Sequence, residues 1–330
     1  MKPGMSRLNG TSVRAASILK LNLFGYLETY HNPYVFCSGM KSQAVQIKNL
    51  EFIDTKYIRQ VGVYRWLTRY SMRQFTKRVL KRDNRMRLPT GSSILLPRWS
   101  TSATSVYVTK AHIDWGAEEL FSQFASKDGD FMDVGAHIGY YSMYMHPLAR
   151  KVYAFEPDPR NLPDLHANAA SVGNIEVVNK AVSSHSGTAL FYVGGDSTLS
   201  TLEMSEGATV EGETVEVQTI SIDDFAAGRP GIKPTLFKID AEGHDFEVLL
   251  GMKKTVATHQ PIVLIECNSG NLLDLCDEWQ YSIFTFTCDR ETFKMTFRQI
   301  RSLEDFQKYW TNMLFLTPRH LRATFVDRCS

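Results

Sequence analysis

The chain has 330 residues, of which 43% are hydrophobic and 22% charged, and its net charge is +2. These values are typical of a globular protein with one large α/β domain and an extension, or with two small domains. No apolar stretch approaches the roughly 20 residues that cross a bilayer, and no signal peptide is indicated. The five cysteines form no CxxC pair, which indicates neither a disulfide framework nor a zinc site. We therefore expect a cytoplasmic protein.

The small net charge conceals a strong asymmetry along the chain. Residues 1–98 contain 18 Lys and Arg against 4 Asp and Glu, a balance of +14, whereas residues 99–330 contain 19 against 31, a balance of −12. The shift predicts a basic N-terminal extension over residues 1–86, poorly ordered before residue 50, and a second domain over residues 87–330.

Residues 55–82 are predicted to form a helix within the basic extension. Basic side chains recur every four residues along it: Arg65, Arg69, Arg73, Lys77 and Lys81. Like charges at this spacing repel one another, so the stripe favours an anionic partner, such as an anionic membrane surface. The favoured interpretation is nevertheless a solvated basic stripe on a helix whose aromatic side chains pack on the main domain.

Beyond a hairpin turn predicted near Gly91 and a helix over residues 112–125, strands and helices alternate. Strands are predicted over residues 130–136, 151–157, 175–182, 188–193, 215–222, 235–243, 261–268, 282–289 and 312–318. Helices are predicted over residues 138–149, 159–172, 244–256 and 271–279. This alternation predicts an α/β fold with a mostly parallel sheet and helices on both faces.

The stretch FMDVGAHIGYY, residues 131–141, predicts a strand that leads into a glycine-rich turn and a helix. It lacks the GxG of dinucleotide enzymes, which disfavours an NAD-dependent oxidoreductase. Asp133 at the end of the strand would repel a pyrophosphate. It suits a ligand that carries an ammonium and a sulfonium, which indicates S-adenosylmethionine.

The next strand, VYAFEP, ends in Glu156 and Pro157. A carboxylate at this strand tip can accept hydrogen bonds from both ribose hydroxyls of a nucleoside. NAD enzymes place an acidic residue at the same position, so Glu156 alone does not discriminate between the two cofactors.

The chain resembles the FkbM-type S-adenosylmethionine-dependent methyltransferases. The resemblance spans roughly Trp115 to Pro318, and its blocks are DVGAHIGYYS, VYAFEPDPRNLPDLHANAA, NKAVSSHSG, TISIDDF, FKIDAEGHDFEVLLG, VLIE and NMLFL. It implies a Rossmann-like, seven-stranded methyltransferase sheet whose last strand is antiparallel. It also implies O-methylation of a hydroxyl on a glycan or another natural product.

The resemblance also assigns the cofactor site. The amino-acid end of the cofactor would lie among Asp133, Gly135, Ala136, His137 and Gly139. The ribose of the cofactor would lie beside Glu156 and Pro157, and its adenine beside Asn179 and Ala181. His137 stands where the family usually has asparagine; it can still donate to the methionine carboxylate, with a charge that depends on pH.

The segment KIDAEGHD supplies the candidate catalytic residues Asp240, Glu242 and His244. His244 is the first choice for the general base that takes the acceptor proton, because histidine titrates near neutral pH, and Glu242 is the second. His244 is alternatively a helix cap. Asp240 would face the positive charges of the cofactor. For Asp245 and Glu247 we favour the interpretation that they are helix N-terminal charges.

Magnesium is possible but not favoured. Asp240, Glu266 and Asn268 offer oxygen ligands at neighbouring strand ends, although hydrogen bonds to a sugar are the favoured use of these groups.

Two further functions stay open. A nucleic-acid methyltransferase fits the basic extension, but no (D/N)PPY-type motif follows the fourth strand. A non-catalytic module that docks on a membrane through the basic helix fits less well with an intact cofactor motif.

Overall fold

The computed structural model describes residues 55–194, 202, 213–267, 271–289, 292 and 294–329. All of these residues fall within one compact unit. The predicted poor order before residue 50 and the predicted site residue Asn268 lie outside the described residues. The division between an extension and a domain at residues 86 and 87 stays a prediction.

The described helices are α1 (Thr55–Val61), α2 (Val63–Arg78), α3 (Ser102–Thr109), α4 (Ala117–Ser122), α5 (Tyr140–Met145), α6 (Leu162–Ala169), α7 (Ile222–Ala227), α8 (Asp245–Leu250), α9 (Lys253–His259), α10 (Asn271–Trp279), α11 (Leu303–Lys308) and α12 (Arg322–Val326). The described strands are β1 (Asn84–Arg87), β2 (Ser93–Leu96), β3 (Asp130–Val134), β4 (Lys151–Phe155), β5 (Ile175–Val178), β6 (Ala181–Val182), β7 (Gly187–Val193), β8 (Glu213–Ile220), β9 (Pro234–Ile239), β10 (Ile262–Ile265), β11 (Tyr281–Asp289), β12 (Met295–Ile300) and β13 (Tyr309–Pro318). A 3₁₀ turn covers Arg319–Leu321.

The central sheet has the order β12-β11-β13-β10-β9-β3-β4-β5. Strands β10, β9, β3, β4 and β5 are parallel, and β13 is antiparallel to both of its neighbours, as the resemblance implied. The eighth strand, β12, was not predicted from the sequence. It pairs antiparallel with β11 from Ile283 opposite Ile300 to Cys288 opposite Met295, and extends the sheet at that edge.

Side chains of the central strands are buried on both faces of the sheet. In β10, Ile262 and Leu264 belong to one apolar cluster, whereas Val263 and Ile265 belong to the other. Successive residues of a strand point to opposite faces, so a strand covered on both sides is apolar at every position. This is why the short run IVLI reads as a strand without any alternation.

The segment predicted as one strand over residues 175–182 is divided between two sheets. Strand β5 ends the central sheet, and β6 belongs to a separate three-stranded sheet of order β6-β8-β7. The helix predicted over residues 244–256 is likewise divided, between α8 and α9. Gly251 lies at this break, where a Cβ would come within 2.2 Å of the main-chain oxygen of Ser183.

The helix predicted over residues 55–82 is broken at Gly62, whose φ is +88°, and α2 ends at Arg78. The aromatic packing considered from the sequence holds for Trp66, which is buried and stacks on the half-buried Tyr70, but two arginines are packed inward as well. Arg69 donates to the main-chain oxygen of Val108 at 2.7 Å, and the buried Arg73 donates to that of Pro97, also at 2.7 Å. The large side chains at the opposite face are exposed: Tyr64, Leu67, Met72, Phe75 and Val79.

Part of the basic stripe of α2 is therefore used within the chain and does not face an outside partner. In the ranges that the structure describes, no helix is both long enough and apolar enough to cross a membrane.

The hairpin predicted near Gly91 is confirmed. Strands β1 and β2 pair antiparallel, and Gly91 between them has a φ of +95°.

Candidate active site

Strands β4, β3, β9 and β10 are parallel and end at the same edge of the sheet. In the registers, Asp133 lies opposite Ala154 of β4 and opposite Lys238 of β9. In open α/β sheets, ligands bind outside the carboxyl ends of the strands. This edge is therefore where the side chains predicted from the sequence can act together.

The turn after β3 passes so close to the end of β9 that residue 135 must be glycine. A Cβ on Gly135 would lie 1.9 Å from the main-chain oxygen of Asp240, and the φ of Gly135 is +72°. The main-chain nitrogens of Gly135 and Ala136 both donate to the oxygen of Phe155, at 3.1 and 2.9 Å. The turn thus presents backbone without a side chain at the strand end, which allows a ligand to approach closely.

His137 and Gly139 complete this turn, with φ values of +51° and +87°. The main-chain nitrogen of His137 donates to Oε2 of Glu156 at 2.7 Å, and its ring Nδ1 lies 3.3 Å from Oγ of Ser102. A Cβ on Gly139 would lie 2.9 Å from a methyl carbon of Leu165. The role predicted for the His137 ring, as a donor to a cofactor carboxylate, stays a prediction.

Glu156 is buried immediately after β4. Its Oε2 accepts from His137, and its Oε1 accepts from the main-chain nitrogen of Asp158 at 2.8 Å and from Nδ2 of Asn161 at 3.2 Å. A carboxylate has about four acceptor positions, so these bonds leave one, on Oε2. That suffices for one ribose hydroxyl, whereas the sequence suggested two. Burial raises the pKa of Glu156 to about 7, and the hydrogen bonds oppose that shift.

Asp133 is fully buried at the end of β3. Ser142 of α5 donates to its Oδ2 at 2.6 Å, and its Oδ1 has no hydrogen-bond partner among the described residues. Burial raises the pKa of Asp133, and the charge of Lys238 opposes this shift. A buried acceptor atom that lacks a donor is costly, so Asp133 is a place where a ligand donor would be stabilised.

Lys238 is a buried cation at this edge that the sequence analysis did not single out. Its Nζ donates to the main-chain oxygen of Gly135 and to Oδ2 of Asp240, each at 3.1 Å. Burial disfavours the charge on Lys238, but the carboxylates of Asp240 and Asp133 outweigh that effect and raise its pKa. The lysine therefore joins β9 to the glycine turn. The signal in the sequence was a lysine within the otherwise apolar run TLFKI.

Asp240 and Glu242 lie on the loop between β9 and α8, as predicted. Asp240 is half-buried in its ion pair with Lys238, and Glu242 is accessible to solvent, with a φ of +49°. Partial desolvation of the carboxyl group, followed by the charges of Asp240 and Glu266, raises the pKa of Glu242. The loop thus presents an accessible carboxyl group that holds its proton more tightly than usual.

The end of the loop is closed by Asp245 and His244. The carboxylate of Asp245, in the first turn of α8 as predicted, accepts from the main-chain nitrogens of Ala241 and Gly243 in the preceding loop at 2.7 and 3.3 Å. The ring of His244 is buried, with Nε2 2.9 Å from Oγ of Ser183. A general base must reach the acceptor hydroxyl. The enclosure of His244 therefore disfavours the first choice made from the sequence.

A second polar group missed from the sequence borders the site. Asp114 accepts from the hydroxyl of Tyr141 at 2.6 Å and from Nδ2 of Asn312 at 2.8 Å. The Nζ of Lys238 lies 5.7 Å from the centre of the Tyr141 ring. Asp114 precedes α4 and Asn312 lies on β13, 198 residues away along the chain, so only the fold reveals their contact.

Asn179 and Ala181, predicted to lie beside adenine, follow the end of β5. Asn179 is exposed, and Ala181 is buried at the start of β6. Pro157 directly follows Glu156 and is half-buried. All three therefore lie along the continuation of the edge formed by β3 and β4, and their contacts with a cofactor stay predictions.

No metal centre is evident in the part of the chain that the structure describes. No group of three or more His, Cys, Asp or Glu side chains there is arranged to hold a metal ion. Glu266 follows β10 and is exposed, and its main-chain nitrogen donates to the oxygen of Ile239 at 3.1 Å. The third ligand considered from the sequence, Asn268, lies outside the described residues.

The family model of the methyltransferase FkbM domain matches residues 133–305, which is more than half of the chain. The chain belongs to the FkbM methyltransferase family. The match begins at Asp133 and includes Glu156 and the loop from Asp240 to Asp245. The FkbM domain therefore contains the residues that line the edge described above, apart from Asp114 and Asn312.

The FkbM domain is also similar to individual proteins. The hexuronic acid methyltransferase AglP of Haloferax volcanii is 30% identical over 152 residues, which cover 46% of this chain and 61% of that protein. The structure of the methyltransferase FkbM from Methylobacillus flagellatus KT aligns at 15% identity and a TM-score of 0.37, over 79% of this chain and 60% of that one. A precorrin-6y C5,15-methyltransferase from Geobacter metallireducens aligns at 10% identity and a TM-score of 0.35, over 61% and 87%. The chain thus spans less than two thirds of the length of the first two proteins.

Proposed function

We propose that this FkbM-family protein transfers a methyl group from S-adenosylmethionine to a hydroxyl oxygen of a sugar, in a glycan or a related natural product. The observation that carries the proposal is the pair of buried carboxyl groups, Asp133 and Glu156, beside the turn at Gly135. Each keeps acceptor capacity that the described residues leave unused. Both can therefore accept hydrogen bonds from a ligand held against the turn.

The acidic edge supports a cationic cofactor. A dinucleotide would bring a pyrophosphate toward the carboxyl groups of Asp133 and Asp240, and like charges at short range disfavour each other. S-adenosylmethionine has an ammonium group for that position and supplies, when bound, an electrophilic methyl group on its sulfonium. From its amino-acid end to its adenine, the assigned residues are Asp133, Gly135, Ala136, His137 and Gly139, then Glu156 and Pro157, then Asn179 and Ala181.

Glu242 is assigned as the general base that takes the proton of the acceptor hydroxyl. In methyl transfer the methyl–sulfur bond would break, with the thioether as leaving group, as the hydroxyl oxygen bonds to the methyl carbon, and the hydroxyl proton must pass to a base within hydrogen-bond reach. Glu242 is accessible and lies next to Asp240, which Lys238 holds by an ion pair. Partial desolvation and the charges of Asp240 and Glu266 raise the pKa of Glu242. We call the surface beside these three carboxyl groups the mouth of the site. A positive charge bound at the mouth would lower the pKa of Glu242 again. Glu242 is therefore prepared to accept a proton when the mouth is occupied by a cation.

A sugar acceptor is supported by the similarity to a hexuronic acid methyltransferase. A hexuronic acid offers both hydroxyl oxygens and a carboxylate. Glu242 and Glu266 flank the mouth, and a carboxylate that approached them as the reacting group would be repelled. An uncharged hydroxyl meets no such repulsion, and the assigned base is needed only for a hydroxyl.

Labelled S-adenosylmethionine and a panel of oligosaccharides, some of which contain glucuronate, test this function. We expect label in a sugar as an ether that resists mild alkali. Methanol released by alkali would show a methyl ester and overturn the hydroxyl assignment. Calorimetry that detects binding of NAD and no binding of S-adenosylmethionine or S-adenosylhomocysteine would overturn the cofactor assignment.

The substitution Glu242→Gln tests the assigned base. Removal of a general base lowers turnover by about 100-fold or more. We expect that loss in kcat, with the affinity for S-adenosylhomocysteine unchanged because Glu242 is not assigned to the cofactor. The matched substitution Glu247→Gln, in the first turn of α8, should leave kcat unchanged. An unchanged kcat in Glu242→Gln would contradict the assignment.

A further inference from the structure

A cavity of about 400 Å³ lies between the helices α1 and α2 and the segment that leads into α4. Its lining includes Gln60, Arg65, Arg69, His112, Trp115 and Met295. It is distinct from the strand edge that holds the candidate active site. Neither the cofactor nor the reacting groups assigned above make use of it.

The cavity is basic. Arg65 and Arg69 line it, and none of the described residues that line it is acidic. Arg69 is held in place by its 2.7 Å bond to the main-chain oxygen of Val108. The pKa of the neighbouring Lys110 is lowered by burial and then by the charge of Arg69. Two guanidinium groups with no acidic neighbour among the described lining residues favour an anion.

The cavity also carries an acceptor without a donor. Gln60 donates from Nε2 to the main-chain oxygen of His112 at 2.6 Å, but its buried Oε1 has no partner among the described residues. Trp115, held at a φ of +57°, adds a flat apolar surface with a polar edge. Guanidinium, amide and indole groups together match a sugar that carries an acidic group.

The chain connects this cavity directly to the candidate active site. Asp114 immediately precedes Trp115, and its carboxylate accepts from Tyr141 and Asn312 at the strand edge. The wall of the cavity and the hydrogen bonds of Asp114 at the strand edge therefore belong to one short segment of the chain.

We propose that this cavity is an acceptor subsite for a carboxylate-bearing sugar, with Arg65 and Arg69 bound to the carboxylate. The inference rests on the proposed function, since it names the class of acceptor for that reaction. It places the acidic group of the acceptor away from the acidic mouth, where a neutral hydroxyl reacts.

Binding of two disaccharides in the presence of saturating S-adenosylhomocysteine tests the subsite. One ends in glucuronate, and the other has glucose in its place; both are titrated calorimetrically into the full chain. We expect the acidic disaccharide to bind about tenfold more tightly, since an arginine–carboxylate pair contributes an interaction of that size. Arg65→Glu should abolish the difference, and Arg65→Lys should retain much of it. Arg65 is exposed, so neither substitution removes a buried contact.

Arg85→Glu is the matched control. Arg85 is exposed on β1, and its substitution makes the same change of charge away from the cavity. It should leave both affinities unchanged. Equal affinities in the parent protein, no binding of either disaccharide, or an undiminished preference in Arg65→Glu would each overturn the subsite. Charge-selective binding without methyl transfer to any acceptor would overturn the proposed function and leave the subsite standing.

Discussion

The carboxyl group of Glu156 loses its hydration on folding and receives three N–H donors in exchange. The exchange is incomplete, because burial still raises its pKa to about 7. The group therefore changes its charge in the range where the protein would operate. Its free acceptor position is available only as long as the carboxyl group is ionised.

Cofactor affinity should therefore depend on pH through Glu156. Below about pH 7 the protonated group accepts one hydrogen bond fewer, so we expect the Kd for S-adenosylhomocysteine to rise as the pH falls from 8 to 6, by up to about tenfold per pH unit. Glu156→Gln should bind more weakly at pH 8 and show a flat profile. Calorimetric titration across this range measures both, and parallel profiles for the two proteins would contradict the ribose assignment.

Stability should respond to pH in the opposite direction. The pKa of Glu156 in the folded protein, about 7, lies above its ordinary value of 4.5. Its contribution to the free energy of unfolding is therefore fully present below pH 4.5 and is lost as the pH rises through 7. Affinity that rises with pH while this contribution falls distinguishes a ligand effect from a general change in folding.

At the scale of elements, the site depends on how closely the turn after β3 approaches the end of β9. Lys238 donates to the oxygen of Gly135 and pairs with Asp240, so it ties the two strand ends together. The main chain of Gly135 also bonds to Phe155 at the end of β4. Three strands thus meet at one glycine, and a change there affects the whole edge.

Gly135→Ala should remove cofactor binding and destabilise the fold. The new Cβ would lie 1.9 Å from the oxygen of Asp240, and a φ of +72° is strained for alanine. We expect a loss of about 2–4 kcal/mol in the free energy of unfolding, measured by denaturant titration. Gly173→Ala is the matched control, since nothing lies within 4 Å of its Cβ position. Equal stability of the two variants would contradict the close approach.

At the scale of the whole molecule, a buried arginine joins the helix α2 to the β1–β2 hairpin and to the residue that follows it, all of which precede the FkbM match. Arg73 donates to the main-chain oxygens of Leu96 and Pro97 and to the side chain of Asn84, and burial lowers its pKa to about 10. The same packing positions Arg65 and Arg69 beside the basic cavity. Residues that precede the family match therefore help to form a surface next to the candidate active site.

Arg73→Met should loosen this packing. It leaves the oxygens of Leu96 and Pro97 without their donor, so we expect a loss of about 2–3 kcal/mol in the free energy of unfolding. Arg78→Met, on the exposed side of the same helix, should change it by less than about 0.5 kcal/mol. Denaturant unfolding measures both. A similar effect of the two substitutions would contradict a structural role for Arg73.

Local patterns predicted much of the fold and part of the site. The wholly apolar run of β10 and the mostly apolar runs of β3 and β9 indicated buried parallel strands, because a strand covered on both faces has few polar positions. The glycine turn and the acidic residues at two strand ends followed from the same runs. The extra strand β12 was missed, and β6 was joined to β5, because pairing partners decide where short strands begin and end.

What the sequence determined by itself is the set of groups at the strand ends: Asp133, the turn at Gly135, Glu156 and the loop from Asp240. Such groups adjoin in the chain the strands that position them, so spacing reveals them. Only the tertiary structure decided that His244 is enclosed beside Ser183, that Lys238 lies between two carboxylates, and that Asp114 meets Asn312. It also decided that Arg69 and Arg73 of α2 face inward. These contacts join residues distant in the chain, and their burial and charge depend on neighbours that only folding brings together.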